Sequence, residues 1–141
     1  MILNKAKEIL ENGGYTCVLT DGTEVYTSTF RGVKPLVQFL KGGMIPSGFS
    51  AADKVVGRAT AYLYVLLGVR EVYSQVISEP AAEVLEANGI HVEYGTLVPN
   101  IINRKGDGIC PFEAAVMEIT DPRMAHEAIL AKMKEMNIAI D

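Results

Sequence analysis

Two short stretches carry the residue types that could do chemistry. The first, "NRKGDGICPFE" at 103–113, runs two cations into a Gly-Asp-Gly turn and sets a thiol, Cys110, directly before Pro111. Proline favours the first turn of a helix, so Cys110 is expected at the N-cap and Glu113 two residues beyond Pro111, reaching back to the backbone N–H of residue 110. A helix start lowers the pKa of a thiol, and Arg104 or Lys105 nearby would add to that. Cys110 is therefore a candidate nucleophile or redox centre. The competing reading is a small structural thiol, the usual role of a single cysteine with no identifiable histidine partner. Asp107 between glycines suits a plain β-turn. The same glycines allow close backbone approach to a ligand that Asn103 and Arg104 could contact.

The second stretch is "SAADKVVGR" at 50–58. Ser50 is expected to cap a helix running to about Leu67, with Asp53 three residues on in a variant of the capping box. Lys54 and Arg58, four apart, would then share one helical face. The first N–H groups of a helix lack partners and attract anions. Ser50, Asp53, Lys54, Asn103, Arg104, Asp107 and Cys110 together make a candidate site for a phosphate or carboxylate. The plainer alternative is capping followed by a solvated basic edge. There is neither a phosphate-loop motif nor a dinucleotide fingerprint.

These residues need elements to hold them. Ile2, Ala6, Ile9 and Leu10 give a helical stripe that "NGG" stops. "YTCVLT" and "TEVYTSTF" flank Asp21-Gly22, a hairpin signal that predicts a type I′ turn. A short helix is expected over 33–41, then a loop, then the apolar helix from 50 to 67 with Gly68 as its stop. "REVYSQVIS" reads as a strand, "EPAAEVLEAN" as a helix with Pro80 in its first turn, and "IHVEYG" as a short strand. Residues 95–109 read mostly as loop, with a strand expected around Leu97 to Ile102. Pro111 and Asp121-Pro122 mark two further helix starts, and the last helix is expected to turn Met124, Ala128, Ala131 and Met133 inward. The order α-β-β-α-α-β-α-β-loop-α-α favours a mixed sheet with helices on both faces, opened by an antiparallel hairpin.

Size and composition agree. The 141 residues make one domain, 1–141, and 49% hydrophobic residues with a mean hydropathy of +0.20 exclude a wholly disordered chain. A net charge of −4 and a pI near 5.2 argue against nucleic-acid binding through a broad basic face. "ATAYLYVLLGV" is too short to span a bilayer, which takes about 20 residues. With no export signal visible, Cys17 and Cys110 are expected to be reduced thiols of a cytoplasmic protein.

A hairpin, a helix and then repeated strand–helix units resemble the three-layer cytidine deaminase-like fold. Zinc deaminases carry His-Ala-Glu or Cys-Ala-Glu at one helix start and Pro-Cys-x-x-Cys at the next. Here Ala51-Ala52-Asp53 and Pro80-Ala81-Ala82-Glu83-Val84 stand in those places. The resemblance then puts Ala51, Ala81 and Val84 at the zinc ligands, and none of these side chains can donate a lone pair. It leaves Asp53 at the proton shuttle. "SAADKVVGRA" and "NRKGDGICPFE" also make the chain similar to a small bacterial family of unknown function with this fold and no zinc ligands.

The expectation is a zinc-less deaminase-like domain, with neither metal nor cofactor, binding a small anionic or polar metabolite such as a nucleotide or nucleoside. Helix starts at 50, 79 and 110 would surround one cleft. The two alternatives are a cysteine-dependent enzyme using Cys110, and an oligomeric interaction module without a small-molecule site. A homo-oligomer is expected from the very apolar run 59–69. Neither membrane nor nucleic-acid partners are expected.

Overall fold

The computed structural model describes residues 2–43, 47–103 and 105–140. Their elements run α1 (Ile2–Gly13), β1 (Cys17–Thr20), β2 (Val25–Ser28), α2 (Lys34–Lys41), β3 (Ser50–Val56), α3 (Arg58–Leu67), β4 (Glu71–Ser78), α4 (Glu79–Ala87), β5 (His91–Val98), α5 (Pro111–Val116) and α6 (Pro122–Glu135). The five strands form one mixed sheet in the order β2-β1-β3-β4-β5. The hairpin β1–β2 and the pair β1–β3 are antiparallel; β3–β4 and β4–β5 are parallel.

Helices cover both faces, as expected from their alternation with strands. Leu3, Ala6 and Leu10 of α1 pack on Val18, Ala52 and Tyr73 on one face. The opposite face carries the larger core, in which α3 is the central helix, with Ala51, Val72 and Ile77 of the sheet beneath it and Ile129 and Met133 of α6 in the same cluster. Ala51 and Ala52, adjacent in β3, thus serve opposite cores, as strand alternation requires.

Several expectations are corrected. The helix predicted from Ser50 is a strand as far as Val56, and the helix begins only at Arg58 after Gly57. Alanine favours helix in isolation, but 50–53 fill a central position between β1 and β4, buried on both faces, where small side chains fit. Lys54 and Arg58 therefore share no helical face. The apolar run at 59–69 is consumed inside the protomer, with Leu63 and Tyr64 fully buried.

The hairpin turn spans 21–24, because Thr20 pairs with Val25. Asp21 Oδ1 accepts from the N–H groups of Thr23 and Glu24 at 2.9 and 2.8 Å, and only Gly22 has positive φ, so the turn is not type I′. In α1 the buried face starts at Leu3 rather than Ile2. In α6 it runs through Ala125, Ile129 and Met133, and Met124 points outward. Strand β5 extends to Val98, and the strand expected to Ile102 reduces to a single bridge between Ile102 and Ile109.

Candidate functional site

A cleft of about 850 Å³ opens where three segments meet: Thr29–Lys34 between β2 and α2, Ile102 and Asn103 with Lys105–Phe112 leading into α5, and the end of α6 with Met136 and Ile138 beyond it. Val33, Phe112 and Met133 are buried and give it an apolar floor, while Phe30 and Met136 stand exposed at its walls. Three cations, Arg31, Lys34 and Lys105, line it against one acid, Asp107. Lys34 Nζ lies 4.2 Å from the centroid of the Phe30 ring, a cation–π contact. Among the described residues none of the three cations is ion-paired.

Residues 101–103 and 108–110 reach the cleft as the two arms of a miniature hairpin. Asn103 N donates to Gly108 O at 2.8 Å and Cys110 N to Ile101 O at 3.0 Å. The Asn103 amide donates to Asp107 Oδ1 at 2.9 Å, and Asp107 N donates back to Asn103 Oδ1 at 3.2 Å. Gly106, at φ +75°, supplies the left-handed residue this tight return needs. Asn103 and Asp107 thus direct polar atoms at each other and shape the loop. Cys110, half-buried, lines the cleft as the N-cap of α5 with no side-chain capping bond. Neither histidine lines it: His91 lies on β5, 3.0 Å from Glu93, and His126 lies in α6.

The structure therefore brings Asn103, Asp107 and Cys110 together. Arg104 lies outside the described residues. Ser50, Asp53 and Lys54 are elsewhere, and no residue of α4, whose start is capped by Ser78 accepting from Ala81 N at 3.2 Å, lines the cleft. The expectation that starts at 50, 79 and 110 surround one cleft is overturned by the strand at 50–56. Ser50 is fully buried and donates to Glu71 of the neighbouring strand. Lys54 is exposed on β3. The alignment of Ala51 with a helix start fails for the same reason.

Asp53 lies under α3. The Tyr64 hydroxyl donates to Asp53 Oδ2 at 2.7 Å, and Cys17 Sγ lies 3.4 Å from that hydroxyl. Cys17 and Asp53 face each other across the β1–β3 ladder. Burial lifts the Asp53 carboxyl to about 7, against lowering by the Tyr64 hydroxyl and the N–H groups of Val55 and Lys54. Burial, with the charge of Asp53 added, pushes the Cys17 thiol and the Tyr64 phenol well above their ordinary values. These groups knit the sheet to α3 and present no nucleophile.

The start of α3 is also occupied from within. Glu113, expected to cap its own helix, instead crosses to α3 and accepts from Arg58 N at 2.6 Å and Ala59 N at 2.8 Å. A Cβ at Gly57 would meet that carboxylate at 2.6 Å, so the approach requires glycine. Burial raises the Glu113 carboxyl, opposed by those two N–H groups and the Arg58 charge. Arg58 Nη2 donates in turn to Ile119 O at 2.7 Å, tying the segment that follows α5 to α3.

Sequence reasoning missed Phe30, Arg31 and Lys34. Their available signal was "FRGVKP": two cations flanking Gly32, which has φ +67°, at the entry to a proline-started helix. Among the described residues no helix is long and apolar enough to cross a membrane. No group of three or more His, Cys, Asp or Glu among them is placed to hold a metal ion.

No curated protein matches the chain. The crystal structure of a DUF1893 family protein (TM1506) from Thermotoga maritima is similar, with a TM-score of 0.86 and 28% identity, covering 93% of this chain and 89% of that one. Residues 5–133 match the family described as a domain of unknown function (DUF1893). The chain belongs to the DUF1893 family.

Proposed function

We propose that the cleft binds a small anionic metabolite with an apolar or planar part, a nucleotide being the favoured form, in a deaminase-like fold that does not use zinc. One observation carries the binding reading: an apolar floor rimmed by Arg31, Lys34 and Lys105 with a single acid, in a chain whose net charge is −4. Cations collected against the overall charge raise the local concentration of an anion. The exposed ring of Phe30 beside Lys34 offers stacking next to charge. The deaminase-like reading is supported by the order hairpin, helix, then two strand–helix units. The two helix starts that follow the hairpin carry Val33-Lys34-Pro35 and Gly57-Arg58-Ala59, with no His or Cys.

Thermal melting with nucleoside monophosphates, the parent nucleosides and inorganic phosphate tests this. Binding to the native state raises the melting temperature by mass action. A nucleoside monophosphate is expected to do so, with phosphate alone having little effect. Lys34→Ala and Lys105→Ala should each weaken binding about fivefold and reduce its salt sensitivity. Absence of any shift at millimolar ligand overturns the reading.

The position of Cys110 on the cleft wall favours one second reading, a thiol that reacts with the bound molecule. Alkylation rates over a pH series separate the two. A reactive thiol titrates well below about 8.5.

A further inference from the structure

We infer that the molecule taken by the cleft has two ends: a nucleotide whose phosphate is joined to a flexible aliphatic chain. The inference rests on the nucleotide reading above and adds the second group. The three segments that form the cleft differ in chemistry. Residues 29–34 bring Phe30, Arg31 and Lys34, and the segment leading into α5 brings Lys105 and Asp107. The end of α6 and the residues beyond it bring only Met133, Met136 and Ile138. An anion belongs with the first two segments, and the third has no side chain that could meet it.

A nucleoside monophosphate leaves that third wall uncovered. Its phosphate goes to the cations, and its base has the Phe30 ring beside Lys34. Its ribose hydroxyls find no partner among methionine and isoleucine side chains, and an unpaired hydroxyl buried there is costly. Each of the three segments contributes one large apolar side chain that stands exposed: Phe30, Ile102 and Met136. With Phe30 given to the base, Ile102 and Met136 remain, next to the buried Met133 and the half-buried Ile138. Apolar side chains left exposed around one cleft mark a binding surface. Methionine is unbranched and polarisable, so this wall suits a flexible chain better than one rigid outline. There is room for it: ligand pockets run from about 300 to 1,000 Å³, and this cleft, at about 850 Å³, is near the upper end.

Alkyl phosphodiesters of adenosine 5′-monophosphate, from methyl to octyl, test this, because they share one base and one charge and differ only in the chain. In calorimetric titration of the full chain, affinity should rise along the series by up to about fourfold for each methylene buried, then level off once the wall is covered. The octyl ester should bind at least about tenfold more tightly than the methyl ester. Met136→Ser should cut that ratio at least about threefold, and Lys34→Ala should weaken both esters alike and leave the ratio intact. Melting temperatures of the variants verify that each is folded. Equal affinity for methyl and octyl esters overturns the inference and leaves the nucleotide reading standing. A ratio unmoved by both Met136→Ser and Ile102→Ser also overturns it, because the chain then lies elsewhere. Failure of every ester and of the parent monophosphate to bind overturns the nucleotide reading, and the inference with it.

Discussion

The start of α3 and the cleft beside α2 are made of similar materials and finished in opposite ways. At α3 the unpaired N–H groups are taken by Glu113, and Asp53, Tyr64 and Cys17 satisfy one another beneath the helix. At the cleft Arg31, Lys34 and Lys105 are left without a carboxylate partner among the described residues. The contrast teaches that a helix start becomes a ligand site only if the fold does not supply its own anion. Glu113, Asp53 and Tyr64 look functional because they are polar, and packing uses them up; what the fold leaves spare is the better guide to binding.

If the α3 region is structural, it should answer in stability and not in binding. The largest effect is expected at Asp53. Its folded pKa, about 7, stands above the ordinary 3.8, so burial disfavours the charged form. Stability from this group is full below pH 3.8, falls as pH rises towards 7, and stays low above that. The difference is on the order of 4 kcal/mol. Urea unfolding at pH 4 and pH 8 should show wild type losing stability relative to Asp53→Asn, with the substituted protein ahead at pH 8. Equal stability of the two proteins at both pH values would mean that Asp53 is not held as described.

The next effect is at the cap. Glu113→Ala strands two N–H groups of α3 and should cost about 2 kcal/mol. Gly57→Ala should cost a similar amount, because its Cβ displaces the carboxylate. In the Glu113→Ala background the Gly57 substitution should cost much less, the non-additivity expected of contacting residues. Additive losses in denaturant would show that the glycine serves something other than the cap.

The smallest stability effect belongs to the cleft. Lys34→Ala and Lys105→Ala should each change unfolding free energy by less than about 0.5 kcal/mol, because Lys105 is exposed and the half-buried Lys34 contacts only the exposed Phe30 ring. A larger loss would make them structural and erase the contrast with α3.

Several elements were legible in local pattern. The α1 stripe, the hairpin flanks, α4 with Pro80 in its first turn and the start of α5 at Pro111 each depend on near neighbours, and each lies where the pattern puts it. The segment 50–56 was not legible. Its alanines and its Ser-x-x-Asp spacing satisfy helix rules, and the decision for strand came from β1 and β4 on either side. Of the candidate site, Asn103, Asp107 and Cys110 were readable because turn chemistry and a proline mark them. Phe30, Arg31 and Lys34 were not, since only packing brings residues 29–34 against a segment some seventy positions away.

The sequence alone therefore determined what short-range physics controls: an α/β chain with a mixed sheet, most helix ends, and a cysteine at a helix start. Tertiary structure decided which polar groups remain available. That depends on burial and on partners distant in the chain: Glu113 reaching the N–H groups of Arg58 and Ala59, Tyr64 reaching Asp53, and β4 holding β5 while leaving its other edge open. Such partners are chosen by the free energy of the whole packed core, to which no local spacing gives access.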